Sequence, residues 1–200
     1  MNMKSNRTSH HHGNLREALI DAGVALLAEG GPTALTLRQC AIRAGVSHAA
    51  PAHHFDGLAG LRDAIAARGY EIFTAEMLCH ADAGRQTPRD RLKGICRGYF
   101  AFACTHPSLF DLMFGYDTRE IVERGQQEQS SAAYRVLADT CAPFVPDGTD
   151  PAVIEAQVWS LIHGFTTLHL SGRFRSADPA HDDMLLQVMT VLDRIGREPT

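Results

Sequence analysis

Long hydrophobic runs are missing from this chain. No stretch approaches the roughly 20 consecutive apolar residues that a bilayer span requires, and the opening "MNMKSNRTSHHHGN" has no apolar core of a secretory signal. A cytoplasmic protein with no membrane partner is expected. Cysteine is sparse, scattered and odd in number: Cys40, Cys79, Cys96, Cys104 and Cys141 contain no CxxC spacing. That excludes a disulfide framework and a thiolate zinc site, and leaves reduced, mostly buried thiols. Catalytic signatures are lacking as well. There is no His-Glu-x2-His, no phosphate loop and no Ser nucleophile elbow. His163 and His169 stand six apart, on different faces of one expected helix. No metal, no cofactor and no enzymatic activity are expected.

Excess positive charge is also absent, since 19 Lys and Arg stand against 23 Asp and Glu for a formal net charge of -4. The distribution is more informative than the sum. Residues 1–60 hold five basic against four acidic side chains and six of the eleven histidines, whereas the remainder holds fourteen against nineteen. Only the N-terminal part would tolerate an anionic polymer.

What is present is helical periodicity. Apolar residues recur at 3.6-residue spacing between Gly and Pro breaks, and no strand-like alternation stands out, so the chain reads as all-α. Asn14 offers a cap for a first helix with Leu15, Leu19, Ala22 and Leu26 on one stripe, stopped at "EGGPT". Thr36 followed by Gln39 is a capping-box pattern, with Leu35 as its hydrophobic staple. Gly45 ends that short helix, and Ser47 offers a cap for another beginning at His48, with Pro51 at the edge of its first turn. A long helix is expected over Leu58–His80. After a linker, "DAGRQTP", further helices are expected near 89–104, 107–114, 118–142, 151–172 and 180–196. Helix, Gly-containing turn, helix over 36–55 is helix-turn-helix spacing.

The stretch "HHHGNLREALIDAGVALLAEGGPTALTLRQCAIRAGVSHAAPAHHFDGLAGL", with its T-x-R, A-G-V-S and H-F elements, resembles the DNA-binding domain of the tetracycline-repressor (TetR) family of bacterial regulators. "HPSLFDLMFG" and the Trp-x3-His-Gly of "WSLIHG" resemble that family's WHG subgroup, which extends the likeness over most of the chain. The resemblance implies a flexible tail over 1–13, a DNA-binding domain over 14–60, and a helical regulatory and dimerisation domain over 61–200. It implies a recognition helix from His48 to about His54 entering the major groove, while the helix from Leu37 crosses the backbone. Thr36 and Ser47 would present helix N-termini to phosphates, and Arg38 matches a family position that reaches DNA, with guanine as its natural bidentate target. His48, Ala49 and Ala50 map to the leading face, followed by His53 and His54. Two positions depart from the family: Ala52 where tyrosine is usual and Leu58 where lysine is usual. Lys4, Arg7 and His10–His12 are candidates to compensate.

The regulatory part is expected to dimerise. "VWSLIHGFTTLHL" is apolar nearly all round, which demands burial on two sides. Val158, Leu161, Phe165 and Leu168, with Met184, Val188, Val191, Leu192 and Ile195 of the last helix, would form a four-helix bundle with a second copy. The family likeness further implies an effector pocket, for which Tyr99, Phe100, Phe110, Met113, Phe114, Trp159 and His163 are candidates, and a largely apolar ligand. Two rival readings use the same residues: a metal-dependent enzyme built on the histidines, and a helical dimer whose helix-turn-helix no longer reads DNA.

Overall fold

Thr36 begins the second helix as its sequence dictates. Its backbone is extended and its hydroxyl accepts the N–H of Gln39 at 3.1 Å, satisfying one donor that the helix itself cannot. The same logic ends the first helix, where Gly31 adopts φ +66° and returns its N–H to the Leu27 carbonyl. In this computed structural model, residues 15–83, 87–115, 127–174 and 181–196 are described. They form eight α-helices: α1 (Leu15–Gly30), α2 (Leu37–Arg43), α3 (Gly57–Asp82), α4 (Pro88–Thr105), α5 (Pro107–Phe114), α6 (Gln127–Cys141), α7 (Pro151–Leu170) and α8 (His181–Val188). No strand occurs among the described residues, in keeping with the all-α reading. Asn14, the basic and histidine residues of the tail, and the first part of the helix expected at 118–142 lie outside them.

Two expected helices differ in kind. No α-helix starts at His48; a turn there leads into a 3₁₀ segment, Ala50–His53, preceded by Ala49 rather than capped by the Ser47 side chain. The reason is Pro51. In a helix capped at Ser47, residue 51 would supply the first internal N–H, and proline has none to give. Ala50 instead bonds the Ser47 carbonyl at 3.0 Å, closing a tighter turn. The last helix likewise tightens to 3₁₀ over Met189–Arg194.

The chain divides into two compact units. One takes the residues up to Gly69 and the segment beginning at Ser108; the other takes Tyr70–Pro107 and the chain from Gln127. In the first, Leu19 and Leu27 of α1, Leu35, Cys40 and Ala41 of α2, Pro51, and Leu61 and Ile65 of α3 are buried together as a core. Gly23 lets α1 lie directly on the Ile65 side chain. Arg68 pins the outer edge, bonding Glu17 at 2.5 Å and Asp21 at 2.6 Å.

In the second unit, α3 and α4 meet backbone to backbone. A Cβ on Gly94 would come within 2.6 Å of the Ala81 Cα, and one on Gly98 within 2.6 Å of the Glu76 carbonyl and the Met77 Cα. Around that crossing pack Phe73, Phe102, Tyr99, Leu92, Val158 and Ile162. Arg89 bonds the Leu192 and Ile195 carbonyls and lies 3.9 Å from the centre of the Phe144 ring, so it caps the last 3₁₀ segment. Burial pushes the Cys96 and Cys141 thiols up to about 12, which keeps both protonated and unreactive. With Cys40 also buried, most of the cysteines are interior, while Cys79 and Cys104 are exposed.

Gly98→Ala should lower the unfolding free energy by about 1–3 kcal/mol, the usual cost of forcing an extra carbon into a packed contact. Gly60→Ala in α3, where a Cβ meets nothing closer than 3.6 Å, should instead stabilise through helix propensity. Equal denaturation midpoints for the two variants would show that α4 does not rest on the α3 backbone.

Candidate functional site

On the first unit, the residues expected to face DNA fall on one continuous piece of chain. Thr36, Arg38, Ser47, His48, Ala49 and His53 are exposed, Ala50 and His54 are half-buried, and Pro51 between them is buried as the anchor of the segment. Gly45 takes φ +70°, the left-handed turn that its position between the two elements requires. The neighbouring arginines are committed elsewhere. Arg43 grips Glu29 through two bonds of 2.5 and 2.6 Å, an arrangement that holds the carboxyl below and the guanidinium above their ordinary pKa values. Arg16 lies 5.5 Å from the centre of the Phe55 ring. Arg38 is exposed and forms no ion pair with a described residue. Ala52 and Leu58 are exposed as well, and neither can hydrogen-bond a phosphate through its side chain.

The seven expected pocket residues divide between the units. Phe110, Met113 and Phe114 belong to the first, with the Phe110 and Phe114 rings 4.9 Å apart and Met113 against Gly69. Tyr99, Phe100, Trp159 and His163 belong to the second. There Tyr99 and His163 meet, the hydroxyl 2.6 Å from Nδ1, and the nearby Trp159 indole acts to lower the Tyr99 pKa. Burial, foremost, pushes the Tyr99 pKa well above the ordinary tyrosine range and holds that of His163 below its ordinary value. Both directions favour the neutral forms, an un-ionised phenol against a neutral imidazole. Phe100 turns away from this cluster to Phe165 and His169, at 5.5 and 4.9 Å.

Sequence reasoning missed two neighbours on the same face of α7. Glu155 is buried and accepts the Tyr134 hydroxyl. Thr166 is fully buried, and its hydroxyl has no hydrogen-bond partner among the described residues. Their spacing from Trp159 and His163, four and three residues, was the available signal. Among the described residues no group of three His, Cys, Asp or Glu could hold a metal ion, and no helix is long and apolar enough to cross a membrane.

The expected dimer residues prove to be of two kinds. Val158, Phe165, Leu192 and Ile195 are buried within their own unit, so they are core and not a face awaiting a partner. Leu168 and Val191 are exposed, while Leu161, Met184 and Val188 are half-buried. The face of α7 opposite its core carries Val153, Gln157, Ser160, Gly164 and Thr167, spaced alternately four and three apart. A Cβ on Gly164 would meet nothing within 4 Å.

His163 sets a pH dependence. Its folded pKa is held below the ordinary value of 6.5, so the unfolded chain takes up that proton first. The stability it contributes is complete above the ordinary value and is lost as pH falls below it. His163→Gln, which still offers Tyr99 an acceptor, should flatten the loss of thermal midpoint between about pH 7 and pH 5. Identical pH slopes for parent and variant would refute a buried neutral imidazole.

Comparison with known proteins agrees with this organisation. Residues 19–65 match the family described as bacterial regulatory proteins, tetR family, and residues 92–192 match the tetracyclin repressor-like C-terminal domain. An HTH-type transcriptional regulator of Mycobacterium tuberculosis is 24% identical over 184 residues, covering 90% of this chain and 82% of the relative. A solved structure from Rhodococcus sp. RHA1 superposes with a TM-score of 0.74 at 29% identity, covering 95% of this chain and 97% of that one. FadR from Bacillus subtilis, solved in complex with stearoyl-CoA, shares the fold with a TM-score of 0.67 at 16% identity, covering 92% and 99%. A DNA-binding helix-turn-helix match in the first unit, joined to a C-terminal-domain match that alone spans half the sequence, makes this chain a member of the TetR family of transcriptional regulators.

Proposed function

We propose that this regulator is a repressor that binds a palindromic operator as a homodimer and is released by a small, mostly apolar ligand. The observation that carries the reading is Arg38, exposed and outside any described ion pair while Arg43 and Arg68 are tied to carboxylates. It stands two residues past the Thr36 cap, on the same stretch of chain as exposed His48 and His53. Arg38 would read guanine, and Ala49 and Ala50 would line the major groove, flanked by His48 and His53 and followed by His54, with Thr36 and Ser47 toward the phosphates. We assign the tail to 1–13, the DNA-binding domain to 14–60 and the regulatory domain to 61–200, and read the Trp159-x3-His163-Gly164 stretch as that of the WHG subgroup.

The ligand would act through α3, which contributes to both units as one unbroken helix. It releases DNA only if it binds better to a form in which the two recognition segments are mis-spaced. Tyr99, Trp159, His163 and the orphan Thr166 hydroxyl would supply its few polar contacts, and the aromatic side chains the rest. FadR, which shares the fold, holds an acyl-CoA. By linkage, an effector that weakens operator binding must itself be weakened by operator DNA to the same degree.

A second reading, a helical dimer without specific DNA binding, is favoured by the apolar exposed residues Ala52 and Leu58 and by the short 3₁₀ segment. A mobility-shift titration with the DNA flanking the gene separates the two. Arg38→Ala and His48→Ala should each cost about 1–3 kcal/mol of specific binding without changing the thermal midpoint. Unchanged specific affinity in both would leave only the second reading.

For the dimer, the supporting feature is the outer stripe of α7, small at its centre and open at Gly164. Gly164→Arg should yield a monomer by light scattering at micromolar concentration and abolish operator binding together with it. A charge at Leu192 would be a poor test, because that side chain is core and its loss would unfold the unit. A parent protein that is already monomeric at that concentration rules out the dimer.

A further inference from the structure

A surface that grips DNA needs cations, and this one has almost none. Over residues 36–58 the basic side chains are Arg38 and Arg43, and Arg43 is neutralised by Glu29. Asp56 is the one carboxylate on the same stretch, so Arg38 is formally cancelled. The charged groups on the elements around the segment add little: Arg16 and Glu17 pair with each other on α1, and Arg62 and Asp63 stand together near the start of α3. Ala52 and Leu58 expose only carbon. The remaining polar side chains able to carry charge are imidazoles, and two of them are exposed: His48 in the turn before the 3₁₀ segment that Pro51 anchors, and His53 at that segment's end.

Resting on the assignment of this unit as the DNA-binding one, we propose that His48 and His53 contact the DNA backbone as imidazolium ions, so that DNA binding takes up protons. The chemistry is particular to this side chain. Neutral imidazole has one N–H and no charge; the protonated ring has two N–H donors and a full positive charge. A phosphate oxygen beside it favours the protonated form, since an opposite charge at contact distance raises the pKa of a base. Histidine is also the residue whose charge changes between pH 5 and 8, so the contact is gained or lost within the physiological range. Half-buried His54, whose ring lies 6.4 Å from that of Phe55, is not needed for this role.

The test uses the full-length chain and a fluorescent duplex of random sequence, on which phosphate contacts alone are read. Affinity at fixed salt is expected to rise at least tenfold between about pH 8 and pH 6, since each linked imidazole contributes up to tenfold per pH unit. The slope of log affinity against log salt should steepen over the same range by about 0.9 for each imidazolium that displaces a counterion. His48→Gln/His53→Gln should flatten both trends while leaving the thermal midpoint near that of the parent. Binding that is equally tight at both pH values, or a pH trend that persists in the double variant, overturns the proposal: the cations then come from another part of the chain. No binding to any duplex at either pH would instead overturn the DNA-binding assignment on which the proposal rests.

Discussion

The approach of α4 to the α3 backbone is the constraint on which the second unit depends. Two glycines one helical turn apart let the Gly94 and Gly98 positions sit against Ala81 and Met77 with no side chain between them. That contact sets how deeply Phe73, Tyr99 and Phe102 interleave, and through Tyr99 it fixes where His163 of α7 finds its partner. Close-packed interiors respond to displacement by switching between discrete arrangements and not by stretching. A displacement of the Tyr99–His163 pair therefore presses on the same crossing that holds the C-terminal half of α3.

The N-terminal half of α3 has a different task. Leu61 and Ile65 are fully buried in the first unit, beneath α1 and the segment that Pro51 anchors. The exposed surface above them is chemically spare: one uncommitted arginine, exposed imidazoles and alanine. Such a surface binds weakly unless several contacts add. The ion pairs at Glu29 and Arg68 serve the shape of the unit and take basic side chains away from any other partner.

Much of this was legible in the sequence because it is written in local chemistry. Thr36 with Gln39, Gly31 and Gly45 each answer a backbone need that few residues can meet, and those helix ends fall where expected. The segment after Ser47 was misread because a cap signal and a proline four residues later make opposite demands, and proline, lacking a donor, prevails. Periodicity failed for a different reason on α7. A helix apolar on all sides gives no sign of which side meets its own core, so Val158 and Phe165 could not be told from Leu168. The Gly94/Gly98 crossing and the orphan Thr166 hydroxyl depend on contacts remote in sequence, which composition does not encode. Of the seven residues named for a pocket, Tyr99 and His163 are in direct contact, across α4 and α7.

Arg89 carries a consequence for how the chain opens. Chain ends commonly fray, exchanging their amide protons quickly while the interior stays closed. Here a guanidinium from the first turn of α4 holds the Leu192 and Ile195 carbonyls and stacks on Phe144, and Lys93 one turn later holds Asp193 at 2.7 Å. The segment that ends at Ile195 is thus fastened at its tip, not only along its length. Its amides are therefore expected to open together with α4 and not ahead of it.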